Sequence, residues 1–98
     1  MDTQITARHF SASSRLKDFV NNRVSKLERF YDGITDARVV LSKQNTSGST
    51  KVAEITLNVQ RRSLTAQDQA HSYEEAIDRC IIRLRRQILK YKGKRRSS

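Results

Sequence analysis

Apolar residues recur at three- and four-residue steps in two long stretches of this chain. Before and between those stretches they alternate with polar residues or run together briefly. The first long stretch, Leu16, Phe19, Val20, Val24, Leu27, Phe30 and Tyr31, has the spacing of a helix with one apolar face. Ser11, Ser13 and Ser14 stand ahead of it as N-cap candidates, and the turn pair Asp32-Gly33 ends it. The second, Tyr73, Ile77, Cys80, Ile81, Leu84, Ile88 and Tyr91, predicts a helix from Tyr73 to about Tyr91. It opens on Ser72-Tyr73-Glu74-Glu75, which reads as a capping box: Ser72 accepts from the Glu75 amide while Glu75 reaches back to the Ser72 amide. Arg79, Arg83, Arg86 and Lys90 form a stripe on the side opposite its apolar face.

The remaining pattern predicts strands. Thr3 to Arg8 alternates around Ile5 and Ala7, Ala37 to Lys43 is a buried strand through Val39, Val40 and Leu41, and Gln44 to Thr50 is a polar, flexible loop. The clearest strand follows, with Ala53, Ile55, Leu57 and Val59 on one face and Glu54, Thr56, Asn58 and Gln60 on the other. Ser63 to Gln69 continues through Leu64 and Ala66 after a tight connection at Gln60 to Arg62. The order is β-α-β-β-β-α, an α+β fold. A right-handed helical crossover joins the first two strands in parallel, an antiparallel meander follows, and both helices cover one face of a four-stranded sheet. Residues 1–91 make one domain, and the basic tail, residues 92–98, is expected to be disordered when free.

Charge narrows the function. Lys and Arg number 20 against 10 Asp and Glu, a formal net charge of +10. The acids stop at Asp78, so Arg79, Arg83, Arg85, Arg86, Lys90, Lys92, Lys94, Arg95 and Arg96 face no acid in the sequence that follows. A solvated helix face usually mixes signs, whereas a dense single-sign run repels itself and suits a phosphate partner. Nucleic acid is therefore the expected partner. The apolar runs Val39 to Leu41 and Cys80 to Ile82 are too short to span a bilayer, no basic leader precedes an apolar stretch, and a single cysteine fits a reducing, cytoplasmic setting.

Catalysis finds little support. His9, His71 and Cys80 are the usual nucleophile or base candidates, and none sits in a recognisable motif. Their spacing suits no zinc site, and Gly33, Gly48 and Gly93 stand apart rather than forming a phosphate loop, so neither metal nor cofactor is expected. Phe19, Phe30 and Tyr31 fall on the apolar face of the first helix, so recognition should rest on phosphates, sugars and shape rather than stacking. Arg23 lies inside that apolar arc, between Phe19 and Leu27. It either snorkels at the rim of the core or emerges between the helices beside Lys26 and the Arg83, Arg86 and Lys90 stripe.

Two segments carry a resemblance. Arg23-Val24-Ser25-Lys26-Leu27-Glu28-Arg29-Phe30, and Ala76-Ile77-Asp78 followed by Arg83-Leu84-Arg85-Arg86-Gln87 and Lys90, resemble the ribosome hibernation-promoting and ribosome-associated inhibitor family, also called the sigma-54 modulation family. Val39-Val40-Leu41 sits where that family has its second strand. The resemblance implies a fold similar to a double-stranded-RNA-binding domain. It also implies a monomeric translation inhibitor that binds ribosomal RNA of the small subunit between head and body, where messenger and transfer RNA lie. The RNA-gripping residues it implies are Arg23, Lys26 and Arg29 on the first helix and Arg83, Arg86 and Lys90 on the second, to which the stripe adds Arg79. General double-stranded-RNA binding and modulation of a transcription factor are the alternatives. Ser72 and Glu74 depart from the family pattern, which commonly has Asp and an aromatic there, and the chain resembles the family's short form, without a dimerisation domain.

Overall fold

The computed structural model describes residues 2–44 and 50–96, with side chains to Tyr91. The elements are β1 (Asp2–Ala7), α1 (Ser14–Phe30), β2 (Ile34–Gln44), β3 (Thr50–Val59), β4 (Arg62–Ala70) and α2 (Tyr73–Arg96), the order expected from the sequence. The loop read at Gln44 to Thr50 lies, but for its ends, outside the described residues. α2 continues as helical backbone to Arg96, past the end expected at Tyr91. Neither helix is long and apolar enough to cross a membrane.

Caps set the helix starts. Of the three candidate serines it is Ser13 whose Oγ accepts from the Leu16 amide, at 3.1 Å. The Ser72 Oγ accepts from the Glu75 amide at 3.1 Å, which is half of the expected capping box. The other half is replaced, because the Glu75 carboxylate pairs with Arg79 one turn on, at 3.0 Å. α1 stops at Tyr31, whose ring folds back over Gly33. A Cβ there would lie 2.5 Å from the ring, so any other residue would have to push the Tyr31 ring aside.

The sheet runs in the order β1-β2-β3-β4, with β1 parallel to β2 and the other pairs antiparallel. α1 links two parallel strands and so runs opposite to both. α2 follows β4, itself parallel to β2, and doubles back over it. The two helices therefore lie parallel, side by side on one face. Between them and the sheet sits a wholly apolar core that includes Val20, Val24 and Leu27 of α1, Val39 and Leu41 of β2, Ile55 and Leu57 of β3, and Ile77, Leu84 and Ile88 of α2. Small residues bring α2 close to the strands: Cys80 Sγ donates to the Ala53 carbonyl at 3.3 Å.

The opposite face of the sheet is open and polar. Asn58 donates to Asp36 at 2.8 Å and accepts from Ser63 at 2.7 Å, while Thr56 and Thr65 pair at 3.1 Å. These ladders lie along the register Asp36, Asn58, Ser63 and its neighbour Arg38, Thr56, Thr65.

The β3–β4 connection is tighter than the sequence implies, since Val59 pairs with Arg62 and only Gln60 and Arg61 turn the chain. Arg61 there adopts φ 59°, a left-handed conformation that costs an ordinary residue on the order of 1 kcal/mol and asparagine less. Arg61→Asn should accordingly raise the urea midpoint, by up to about 1 kcal/mol of stability, and Arg61→Val should lower it. An Arg61→Val variant as stable as the parent would contradict a left-handed residue at the turn.

Candidate nucleic-acid interface

Parallel packing puts equivalent turns of α1 and α2 opposite each other. Arg23 leaves α1 toward α2, where its Nε donates to Asp78 Oδ1 at 2.9 Å, its Nη1 donates to Asn22 Oδ1 at 3.1 Å, and its guanidinium lies 4.3 Å from the centre of the Phe19 ring. Two turns on, the relation reverses: Arg85 of α2 lies over Phe30 of α1, 5.1 Å from the ring centre. Tyr31 and Tyr91 meet edge to face at 5.9 Å near the end of the seam. Arg23 is thus neither buried nor wasted at the rim. Its charge is met by a carboxylate from the other helix and its flat face by an aromatic ring.

Between these crossings lies an open groove of about 520 Å³. Leu27 and Ile81 form its floor, Lys26 and Arg29 rise from α1, and Ile82 and Arg85 rise from α2. Four cations, Arg23, Lys26, Arg29 and Arg85, border it against one carboxylate, Asp78. Such a trough holds positive charge over a partly apolar floor, which suits a sugar-phosphate backbone better than a small neutral ligand.

The residues singled out in the sequence divide between two sides of α2. Arg79 donates to the Gln69 carbonyl at 3.1 Å and pairs with Glu75, and Arg83 donates to Asp68 Oδ2 at 2.9 Å, so both lean toward β4 and hold the protein's own acceptors. Arg86 and Lys90 are exposed and have no carboxylate partner among the described residues, and the same is true of Lys26 and Arg29. Arg23 does emerge between the helices beside Lys26. Its neighbours on α2 are nevertheless Asp78 and Arg85 rather than the Arg83, Arg86 and Lys90 stripe, because residues 78, 82 and 85 share the flank that faces α1. Arg85 is therefore a groove residue outside the set expected from the sequence. Its signal was present, seven residues after Asp78.

The residues weighed for catalysis remain apart. Cys80 is buried against β3, and burial pushes its thiol up to about 11, leaving it protonated and inert. His9 lies in the turn after β1 and His71 immediately before α2, both exposed. Among the described residues no three metal-ligating side chains cluster.

A family model described as Sigma 54 modulation protein / S30EA ribosomal protein matches residues 3–96, both helices and every strand but the first residue of β1. The chain belongs to this family. Relatives within the sigma 54 modulation and S30EA family include the ribosome hibernation promoting factor of Klebsiella oxytoca, 32% identical over 94 residues that cover 96% of each chain. That of Deinococcus radiodurans is 30% identical over 91% of this chain and 48% of its own length. Among solved structures, the N-terminal domain of Thermus thermophilus Protein Y superposes with a TM-score of 0.81 at 25% identity, covering 93% of this chain and 99% of that domain. A ribosomal subunit interface protein from Coxiella burnetii shares the fold with a TM-score of 0.85 at 17% identity, covering 95% and 99%.

In this family member one ion pair ties the stripe to the sheet. The Gln69 amide, donating at 2.8 Å, holds the Asp68 carboxyl below its usual value of 3.8, with Arg83 adding to the effect and burial opposing it. A carboxyl depressed by folding contributes stability above its unfolded value and loses it as pH falls through the lower folded one. Asp68→Asn should therefore be less stable than the parent at pH 7, and the gap should close below about pH 4. Urea midpoints at pH 7, 5 and 3 measure this. A gap that persists undiminished at pH 3 would mean that the Asp68 charge is not its source.

Proposed function

We propose that this chain is a ribosome-binding translation inhibitor of the hibernation type, which occupies the decoding region of the small subunit and excludes transfer and messenger RNA under stress or in stationary phase. The observation that carries the proposal is the groove between α1 and α2, where Arg23, Lys26, Arg29 and Arg85 converge with little carboxylate to neutralise them. The names of the relatives support it, since the curated ones are called ribosome hibernation promoting factors. The role needs no chemistry from the protein. A rigid basic domain seated where an anticodon stem must lie inhibits by occupancy alone, and the cations of the helix face provide the attachment. Arg86 on the crest of α2 and Lys90 beside the start of β4 extend the contact, while Arg79 and Arg83 join it by exchanging their own acceptors for phosphate oxygens.

Purified small subunits test the surface. Lys26→Glu, Arg29→Glu and Arg85→Glu together should abolish cosedimentation while leaving the circular dichroism spectrum unchanged, because all three side chains are exposed. Arg38→Glu, on the open sheet face, should leave binding within a few fold of the parent. Equal loss in both would indicate diffuse electrostatic attraction rather than a helix-borne site.

Inhibition should also compete with transfer RNA and weaken with salt. About five phosphate contacts give a log-log slope of about −4.5, or several hundredfold for a fourfold rise in salt. In vitro translation titrated with the protein, with and without preloaded initiator transfer RNA, measures the competition. Preloading should shift the inhibition curve to higher protein concentration, and a curve that does not move would place the protein elsewhere on the ribosome.

A further inference from the structure

A second cluster of cations lies at the end of the sheet where both helices begin. Arg8 and His9 leave β1 there, Lys43 of β2 stands directly across from Lys51 of β3, and Phe10 stacks on Tyr73 with ring centres 4.9 Å apart and planes within 9°. They border an open cleft of about 630 Å³, and among the described residues no carboxylate lines it. Among the described residues none of Arg8, Lys43 and Lys51 has an acidic partner, and Lys51 Nζ lies 5.7 Å over the Tyr73 ring.

Left empty, this arrangement works against the fold. Like charges directly opposite on antiparallel strands repel. The parallel packing also brings the N-termini of α1 and α2 to the same end of the domain, and the positive ends of two helix dipoles add to the repulsion. An anion in the cleft reverses every one of these terms. The Phe10–Tyr73 stack clamps the turn after β1 onto the first turn of α2, so Arg8 is held toward the two lysines rather than left to swing away from them.

We propose that this cleft is a second phosphate-binding site, which holds a segment of RNA backbone separate from the one in the groove between the helices. The inference rests on the RNA-binding reading of that groove and extends it. The two anchors lie about 18 Å apart along α2, from the twelve residues between Tyr73 and Arg85 at 1.5 Å each. A backbone must span that distance to occupy both, which selects for a folded RNA surface over a short free strand.

The experiment compares a cleft variant, Arg8→Gln with Lys43→Gln and Lys51→Gln, with a groove variant, Lys26→Gln with Arg29→Gln and Arg85→Gln. Affinity for purified small subunits is measured from 50 to 200 mM salt. Each lost phosphate contact makes the log-log slope shallower by about one, so the cleft variant should lose about two to three from its slope. It should also be at least as stable in urea as the parent, since repulsion has been removed. An unchanged slope in the cleft variant beside a shallower one in the groove variant overturns this inference and leaves the groove reading standing. No change in either overturns both. The same titration with protein-free small-subunit RNA should reproduce the cleft effect, and an effect confined to intact subunits would assign the cleft to a ribosomal protein and overturn the proposal.

Discussion

Cys80 rests on the Ala53 carbonyl, and with small side chains at Ala66 and Ala76 as well, α2 settles close upon β3 and β4. That seating decides which flank of α2 can reach α1. Had long side chains held the helix off the strands, residues 78, 82 and 85 would not meet Arg23, Lys26 and Phe30, and no groove would exist between the helices. The apolar core thus acts on function through distance and rotation. It aims one flank of α2 at α1, the other at β4, and leaves Arg86 on the crest.

The domain is also electrically one-sided. On the open face of the sheet Arg38 is the single cation among the described strand residues, against Asp2, Asp36 and Glu54, and hydroxyl and amide ladders fill the rest. The helix face carries the surplus positive charge. Within that face the cations differ in readiness: Arg79 and Arg83 hold acceptors of their own, whereas Lys26, Arg29, Arg86 and Lys90 have no carboxylate to leave among the described residues. A polyanion approaching this surface meets the second group first and must compete for the first.

Much of this was legible in the chain. Strict alternation over residues 53–59, the helical spacing of both long stretches and the end of the acids at Asp78 each report a local or one-dimensional property, and the element order, the sheet and the basic helix follow from them. Arg23 also announced itself, as a charge in an apolar arc that had to find a partner. What stayed hidden depends on relations between elements. Placing Arg85 in the groove requires knowing which flank of α2 faces α1, and a helical wheel by itself does not say. The cleft cations come from two strand ends and the turn after β1, which only the sheet register unites. The left-handed Arg61 had no sequence signal, since the usual glycine or asparagine is missing from its turn.

Cys80 has one more consequence. With the thiol buried and pushed up to about 11, Cys80 stays protonated at neutral pH, and its sulfur faces the Ala53 carbonyl inside the core. No other cysteine is present in these 98 residues. Peroxides and disulfides, which react with exposed thiolates, therefore find almost nothing to react with at this position, and the seating of α2 on β3 does not hang on a reactive sulfur.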